Sequence, residues 1–351
     1  MVLFQSIQVG RFKMFKKIFM LFKIGRKLST SGAISSIYQI YDPPVIIKIL
    51  FFVIGFNFKN EKNNNNLSPG TKLCEALQEM GTTFIKLGQF LATRPDIIGE
   101  NISKDLEKLQ DKLPAFNLLY AKDVLKQELE RSNYEKISNI SEPIAAASIA
   151  QVHFAEISIN GEKKNVAIKI LRPGIEKVFN EELDALMFLA YIVENLIRKT
   201  KRLKLVEVVQ LLREITNIEM DLRFEAAAAN ELYENTKNDM GFKVPKIYWN
   251  QTSKRTLCLD RIEGVSIREI ENLKSLNINV KKLAKDLIQH FLRHAVRDGF
   301  FHADMHQGNL FVSKDGNIMP VDFGIMGRLD KNNKKYLAEI LYDLLKEIIK
   351  K

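Results

Sequence analysis

Four polar side chains stand at spacings that suit phosphate chemistry. In "FFHADMHQGNLFVSKDGNIMPVDFGIMGRLD", residues 300–330, His302-x-Asp304 is followed five residues after the aspartate by Asn309, and later by Asp322-Phe323-Gly324. A carboxylate at Asp304 can accept or orient a hydroxyl proton. Asn309 offers a neutral oxygen and Asp322 a charged one, the donors that Mg²⁺ takes while keeping several of its waters. Far upstream, "VAIK" ends on Lys169, a cation at the end of an apolar run, where it could hold two phosphates.

These residues need elements to carry them. The pattern predicts a strand over Gln151–Ile159, a polar turn over Asn160–Asn165 and a strand over Val166–Ile170 that ends near Lys169. Ahead of them sit Ala145, Ala146, Ala147 and Ser148, where a nucleotide-binding loop would normally be glycine-rich so that the backbone can approach phosphate. A second hairpin, Leu310–Val312 and Ile318–Val321 around Lys314-Asp315-Gly316-Asn317, delivers Asp322. Each short motif is common alone. VAIK, HxDxxxxN and DFG in this order, on these elements, match the catalytic machinery of kinase-like enzymes.

Between them the chain reads as mostly helical. Helices are predicted at about Lys72–Thr93, Ser103–Leu109, Leu118–Arg131, Ile175–Lys199, Leu205–Asn235 and Val280–Asp298, with strands at Val244–Trp249 and Thr256–Ile262. "NEKNNNNLSPG", Asn60–Gly70, is a polar linker. The first thirty residues hold seven Lys/Arg and no acid. On a helical wheel Phe12, Phe15, Ile18, Phe19, Leu21 and Phe22 oppose Lys13, Lys16, Lys17, Lys23 and Lys27, with Arg11, Arg26 and Ile24 out of place, a pattern suited to an anionic membrane surface. No run of eighteen uncharged residues exists, so no clean transmembrane helix is expected.

The formal net charge of +11 favours an anionic partner. Nucleic acid is not expected, because no basic segment is interleaved with aromatic residues as stacking modules require. Cys74 and Cys258 lack CxxC spacing and fit a reducing compartment. None of the 17 glycines stands two residues from another, so a GxGxxG dinucleotide loop is absent. His290 and His294 stand four apart, as do His302 and His306, but HExxH is missing. His290 and His294 read as ordinary helix residues rather than as a zinc site.

Taken together, "TFIKLGQFLATRPDIIG", "PIAAASIAQVH", "VAIKILRPGI", "HADMHQGNLFV" and "VDFGIMGRL" resemble the UbiB family of atypical kinase-like proteins, over about Leu67–Leu329. The most specific marks are Lys86-x-Gly88-Gln89 and the alanine-rich loop. The resemblance implies an α+β, protein-kinase-like two-lobed fold with a helical N-terminal extension and a shortened C-lobe. It divides the chain into a basic segment (1–59), a linker (60–70), a helical extension (71–137), an N-lobe with inserted helices (138–262) and a C-lobe with the catalytic and metal loops (263–351).

The resemblance also implies roles. ATP or ADP would be bound by Ala145, Ala146, Ala147, Ser148, Lys169, Glu219, Lys86 and Gln89. Asp304 and Lys169 would be catalytic, with Glu225 as first choice and Glu219 as second for the acid that pairs with Lys169. Asn309 and Asp322 would hold Mg²⁺. Glu219 and Asp221 form an ExD pair, and Lys86 is expected to meet Glu219. Alanines in place of glycines, with the Lys-x-Gly-Gln helix over the cleft, favour ATP hydrolysis or phosphorylation of a small molecule over protein phosphorylation. The implied role is support of ubiquinone biosynthesis on the cytoplasmic side of a bacterial inner membrane, as a peripheral protein. Its partners would be an anionic membrane surface and quinone precursors or quinone-biosynthesis enzymes. A small-molecule kinase of the aminoglycoside or choline type and a nucleotide-sensing scaffold are the other readings. The family's members continue with more of the C-lobe and, in bacteria, usually with C-terminal transmembrane helices.

Overall fold

The structure, a computed structural model, describes residues 17–28, 31, 33, 67–109, 113–196 and 198–349. Its helices are α1 (residues 17–28), α2 (Pro69–Met80), α3 (Thr82–Ala92), α4 (Pro95–Ile98), α5 (Glu100–Leu106), α6 (Leu118–Glu128), α7 (Arg131–Tyr134), α8 (Ile175–Leu196), α9 (Leu205–Glu219), α10 (Leu222–Thr236), α11 (Ile270–Ser275), α12 (Val280–Arg293) and α13 (Lys331–Ile349). Its strands are β1 (Ile137–Ser138), β2 (Pro143–Ala146), β3 (Ala150–Ile159), β4 (Glu162–Leu171), β5 (Thr256–Asp260), β6 (Val265–Ser266), β7 (Phe300–His302), β8 (Leu310–Val312), β9 (Ile318–Pro320) and β10 (Met326–Arg328). The chain forms two compact units. One is residues 1–114, 146–150 and 172–217, and the other is residues 115–145, 151–171 and 218–351.

The first unit is helical. The single helix predicted over Lys72–Thr93 is two, because Gly81 takes φ 103°, which ends α2 and begins α3. Ser68 caps α2 by accepting from the Thr71 N–H, and Pro69 occupies its first turn. On α3, Gly88 is fixed by packing. A Cβ there would run into Leu109 Cδ1 and lie 2.8 Å from Leu77 Cδ1. Ile24 of α1 is buried and Lys27 donates to the Glu79 carbonyl at 2.8 Å, while Ile18, Phe19 and Phe22 are exposed. Ile24, one of the three residues that do not fit the wheel, is therefore a point of attachment, and part of the apolar face of α1 is open. Phe12, Phe15, Lys13, Lys16 and residues 60–66 of the linker lie outside the described residues.

The second unit is built on a five-stranded sheet in the order β1-β3-β4-β5, with β2 also paired to β3. The polar turn is shorter than predicted. Asn160 (φ 50°) and Gly161 (φ 84°) make a two-residue hairpin, so β4 starts at Glu162. Side chains alternate across a strand, so Val166, Ile168 and Ile170 share one face. That face packs with Ala155, Ile157 and Cys258 against Ala121, Val124, Leu125 and Leu129, a stripe at helical spacing on and just after α6. Burying each larger aliphatic side chain contributes about 1.5–3 kcal/mol.

Two further predictions fail locally. The helix expected over Leu205–Asn235 breaks at Asp221, whose carboxylate accepts from the Arg223 N–H and starts α10. The strand expected over Val244–Trp249 reduces to one isolated bridge, Ile247 to Leu259, with a second, Phe242 to Ile318, just ahead of it. Pro245 has no N–H for a ladder, and Trp249–Gln251 turns into a short 3₁₀ helix. Beyond α12, His294–Asp298 forms a π-helical turn closed by the Gly299 N–H donating to the His294 carbonyl at 2.9 Å. Two small antiparallel sheets follow, β6-β8-β9 and β7-β10.

Candidate active site

The side-chain alternation that buries Ile168 and Ile170 turns Lys169 to the opposite face of β4. α10 supplies its partner. Leu222, Ala226, Ala229 and Leu232 are its buried stripe, and Glu225 falls within that stripe rather than on the wet face. A charge in an apolar stripe needs a partner. Lys169 Nζ lies 2.9 Å from both Glu225 oxygens and 3.3 Å from Asp322 Oδ1. Burial alone would lower the Lys169 pKa, but the Asp322 and Glu225 charges outweigh it and hold the ammonium above its ordinary range. Burial pushes the Glu225 carboxyl up, and Lys169 pulls it back. A carboxylate accepting from Lys169 with both oxygens is the ionised form, so the pair is charged.

Asp322 stands between β9 and β10 with φ 61°, a left-handed conformation that Asp tolerates better than most residues. Its side chain is about half exposed, and its Oδ1 also accepts weakly from the Gly324 N–H at 3.4 Å. Next to it, Phe323 is buried with its ring edge-on to His302, centroids 5.7 Å apart.

His302 ends β7 and fixes the following loop. The Asp304 N–H donates to its Nδ1 at 3.2 Å, so the proton sits on Nε2, which donates to the Val321 carbonyl at 3.1 Å. One ring thus ties the Asp304 loop to the residue before Asp322. Asn309 Nδ2 donates to both the carbonyl and Oδ2 of Asp304, each at 3.1 Å. With its nitrogen so used, the Asn309 oxygen is the atom left for a cation. His306 was not assigned a role from sequence. Its Nδ1 accepts from the Gly308 N–H at 2.9 Å, and its Nε2 lies 3.6 Å from Asp304 Oδ2. That places a second imidazole beside the carboxylate proposed to handle the proton.

The alanine loop is part strand. Ala145 and Ala146 end β2, and the turn closes with the Ala147 N–H donating to the Ala150 carbonyl at 2.8 Å. Arg172 clamps it, with Nε and Nη2 donating to the Ala147 carbonyl at 3.1 and 2.8 Å. The Ser148 hydroxyl is fully buried and makes no hydrogen bond, while Thr82 Oγ1 donates to the Ser148 carbonyl at 3.2 Å.

The structure therefore brings Lys169, Glu225, Asp322, Asp304 and Asn309 into one unit. Glu225, not Glu219, meets Lys169. Lys86 and Gln89 lie half-buried on α3 of the other unit. Glu219 closes α9 and Asp221 caps α10, where Arg223, at 2.6 Å, holds the Asp221 carboxyl below its usual range.

Three comparisons with known proteins give the family. The family model described as the ABC1 atypical kinase-like domain matches residues 108–351. The chain is 37% identical over 303 residues to a protein of Marinobacter nauticus named "Probable protein kinase UbiB", covering 85% of this chain and 54% of that one. It is 37% identical over 281 residues to a protein of the same name from Shewanella baltica, covering 79% of this chain and 51% of that one. The chain thus spans about half the length of the curated relatives it matches. Among solved structures, "The complex structure of Rv3197-erythromycin from Mycobacterium tuberculosis" aligns with a TM-score of 0.50 and 27% identity, covering 72% of this chain and 63% of that one. A kinase-like α+β fold is what these matches share with the structure above, and the chain belongs to the ABC1 atypical kinase-like family, with proteins named UbiB among its relatives.

Proposed function

We propose that the chain binds Mg²⁺–ATP, and that ATP hydrolysis or phosphorylation of a small molecule at this site supports ubiquinone biosynthesis at a membrane. The observation that carries this reading is Lys169 held between Glu225 and Asp322. The donors suit the ligand. Lys169 offers a fixed positive charge, Asp322 an exposed carboxylate, and Asn309 an amide oxygen whose own nitrogen is already committed. Mg²⁺–ATP, when bound, supplies an activated terminal phosphoryl group. Asp304 would orient an acceptor hydroxyl or water and take its proton, with Asn309 and His302 holding the loop in place.

The quinone role rests on the UbiB name of the relatives. Peripheral attachment draws support from α1, where Ile18, Phe19 and Phe22 are exposed beside Lys23, and the cytoplasmic side of the inner membrane is proposed with the quinone role. Among the described residues, no helix is long and apolar enough to cross a membrane. Quinone precursors or quinone-biosynthesis enzymes are the partners in this reading.

The deciding experiment is a thermal shift with Mg²⁺–ATP on the wild type and on Asp322→Asn. Asn also tolerates the left-handed backbone, so the fold should survive. The wild type should gain stability with nucleotide, and only when Mg²⁺ is present; the variant should lose that gain. An equal gain in both proteins would remove Asp322 from the site.

A further inference from the structure

Past the C-terminal end of α10, whose first turn carries Glu225, three ligand-type residues converge. His290 and His294 stand one helical turn apart at the end of α12, and Asp239 follows α10 in the loop after Thr236. One ligand atom from each, an imidazole nitrogen from either histidine and a carboxylate oxygen, lie within 4.8 Å of one another. We propose that Asp239, His290 and His294 form a site for a divalent transition-metal ion, zinc by the chemistry of its donors, that ties the end of the Glu225 helix to the helix leading into the Asp304 loop.

The geometry supports this in four ways. First, an i, i+4 histidine pair presents both rings on one helix face, and two imidazoles with a carboxylate make a three-residue zinc set that leaves one position for water. Second, Asp239 Oδ2 and His294 Nε2 are 3.1 Å apart, a separation two ligands of one tetrahedral ion can keep. Third, His290 is 95% buried by its 5% exposure, yet its Nδ1 has no hydrogen-bond partner. Buried polar atoms are rarely left so, and an unmade bond of this kind asks for an ion or a water. Fourth, the carboxylate is already oriented from outside. Arg297 donates Nη1 to Asp239 Oδ1 at 2.8 Å and Nη2 to Oδ2 at 2.9 Å. Oδ1 can keep that contact while Oδ2 turns to a metal, the usual arrangement for a positioned carboxylate ligand.

The backbone at Gly241 passes His290 closely, since a Cβ there would sit 3.5 Å from Nε2. The triad includes none of the residues assigned to phosphate chemistry, and the ion's role in this proposal is to join the two elements that carry it. The competing view is a metal-free hydrogen-bonded triad of His294, Asp239 and Arg297.

The test uses the full chain, stripped with a chelator and titrated with Zn²⁺ or Co²⁺ alone. One equivalent should bind and raise the melting temperature, and Co²⁺ should give the visible bands of a tetrahedral site without a thiolate band. His290→Gln should weaken binding at least tenfold, and its metal-free melting temperature, measured alongside, separates lost metal binding from lost packing of the ring against Phe242. If Zn²⁺ leaves the wild-type melting temperature unmoved, or His290→Gln keeps wild-type affinity and spectrum, the site does not exist. Should the variant fail to fold, ring ¹⁵N resonances of the wild type decide: those of His290 and His294 must shift together with Zn²⁺, and unshifted resonances overturn the proposal.

Discussion

Lys169 sits symmetrically on Glu225, its Nζ 2.9 Å from each carboxylate oxygen, with the two side chains 17% and 9% exposed. Removing one member of a buried pair leaves the other charge stranded, at a cost of about 3–5 kcal/mol. Asp322 remains 3.3 Å from Nζ and shares that charge. Glu225→Gln should therefore lose about 3 kcal/mol, the low end of the range, in urea unfolding, and Mg²⁺–ATP binding should weaken with it. A loss below about 1 kcal/mol would mean that Asp322 alone suffices for Lys169.

Ala147 donates to the Ala150 carbonyl and accepts from Arg172, so the turn is held by backbone groups that glycine also has. Ala147→Gly removes only a Cβ and widens the allowed φ. We expect higher affinity for ATP and a shift towards phosphoryl transfer, including self-phosphorylation, with a stability cost of about 1 kcal/mol or less. Titration of ATP and ADP checks this. Equal affinities with a lowered melting temperature would make the alanine purely structural.

Phe19 is 73% exposed and Phe22 50%, so neither contributes much to folding. Replacing both by aspartate should leave the melting temperature unchanged and abolish co-sedimentation with anionic vesicles at physiological salt. If the variant still pellets, the contact with lipid lies elsewhere.

His153, His290 and His294 are all held below 6.5, burial being the largest cause at each. Between each folded pKa and 6.5 the unfolded chain binds more protons, so these residues destabilise the fold as pH falls below about 6.5. Each can contribute up to about 1.4 kcal/mol per pH unit. Glu182 and Glu225, raised by burial, act in the opposite sense, so the histidine effect is read by difference. His153 shows why protonation is resisted: Gln151 donates to its Nε2 at 2.8 Å, and its Nδ1 meets the Ser141 carbonyl. Urea midpoints at pH 7.0 and 5.5 should fall less steeply for His153→Gln than for wild type. Parallel slopes would show that His153 titrates normally.

The parts of the site legible in the sequence are those the chain lays down in order. Lys169 ends a strand, and Asp304, Asn309 and Asp322 flank a hairpin, so local pattern places them. The choice between Glu219 and Glu225 depended on a helix break at Asp221 that periodicity does not show; the useful signal was that Glu225 shares the apolar stripe of Leu222, Ala226 and Ala229. Gly81 and Pro245 were readable as breakers, yet strong flanking patterns masked both. Asp239 could not be joined to His290 and His294 from sequence, because 55 residues separate it from His294 and only the tertiary fold brings them together. The alanine loop was legible as an anomaly, but not the burial of Ser148 or its clamp, which come from Arg172 and Thr82.

Position 322 answers to two alphabets. A backbone at φ 61° admits Gly, Asn and Asp with least penalty. A charged oxygen for a hard cation admits Asp and Glu. Only aspartate is in both sets. Glutamate carries the same charge but the wrong backbone preference, and asparagine the right backbone but no charge. An acid one methylene longer would therefore fail here before any question of reach to a metal arose.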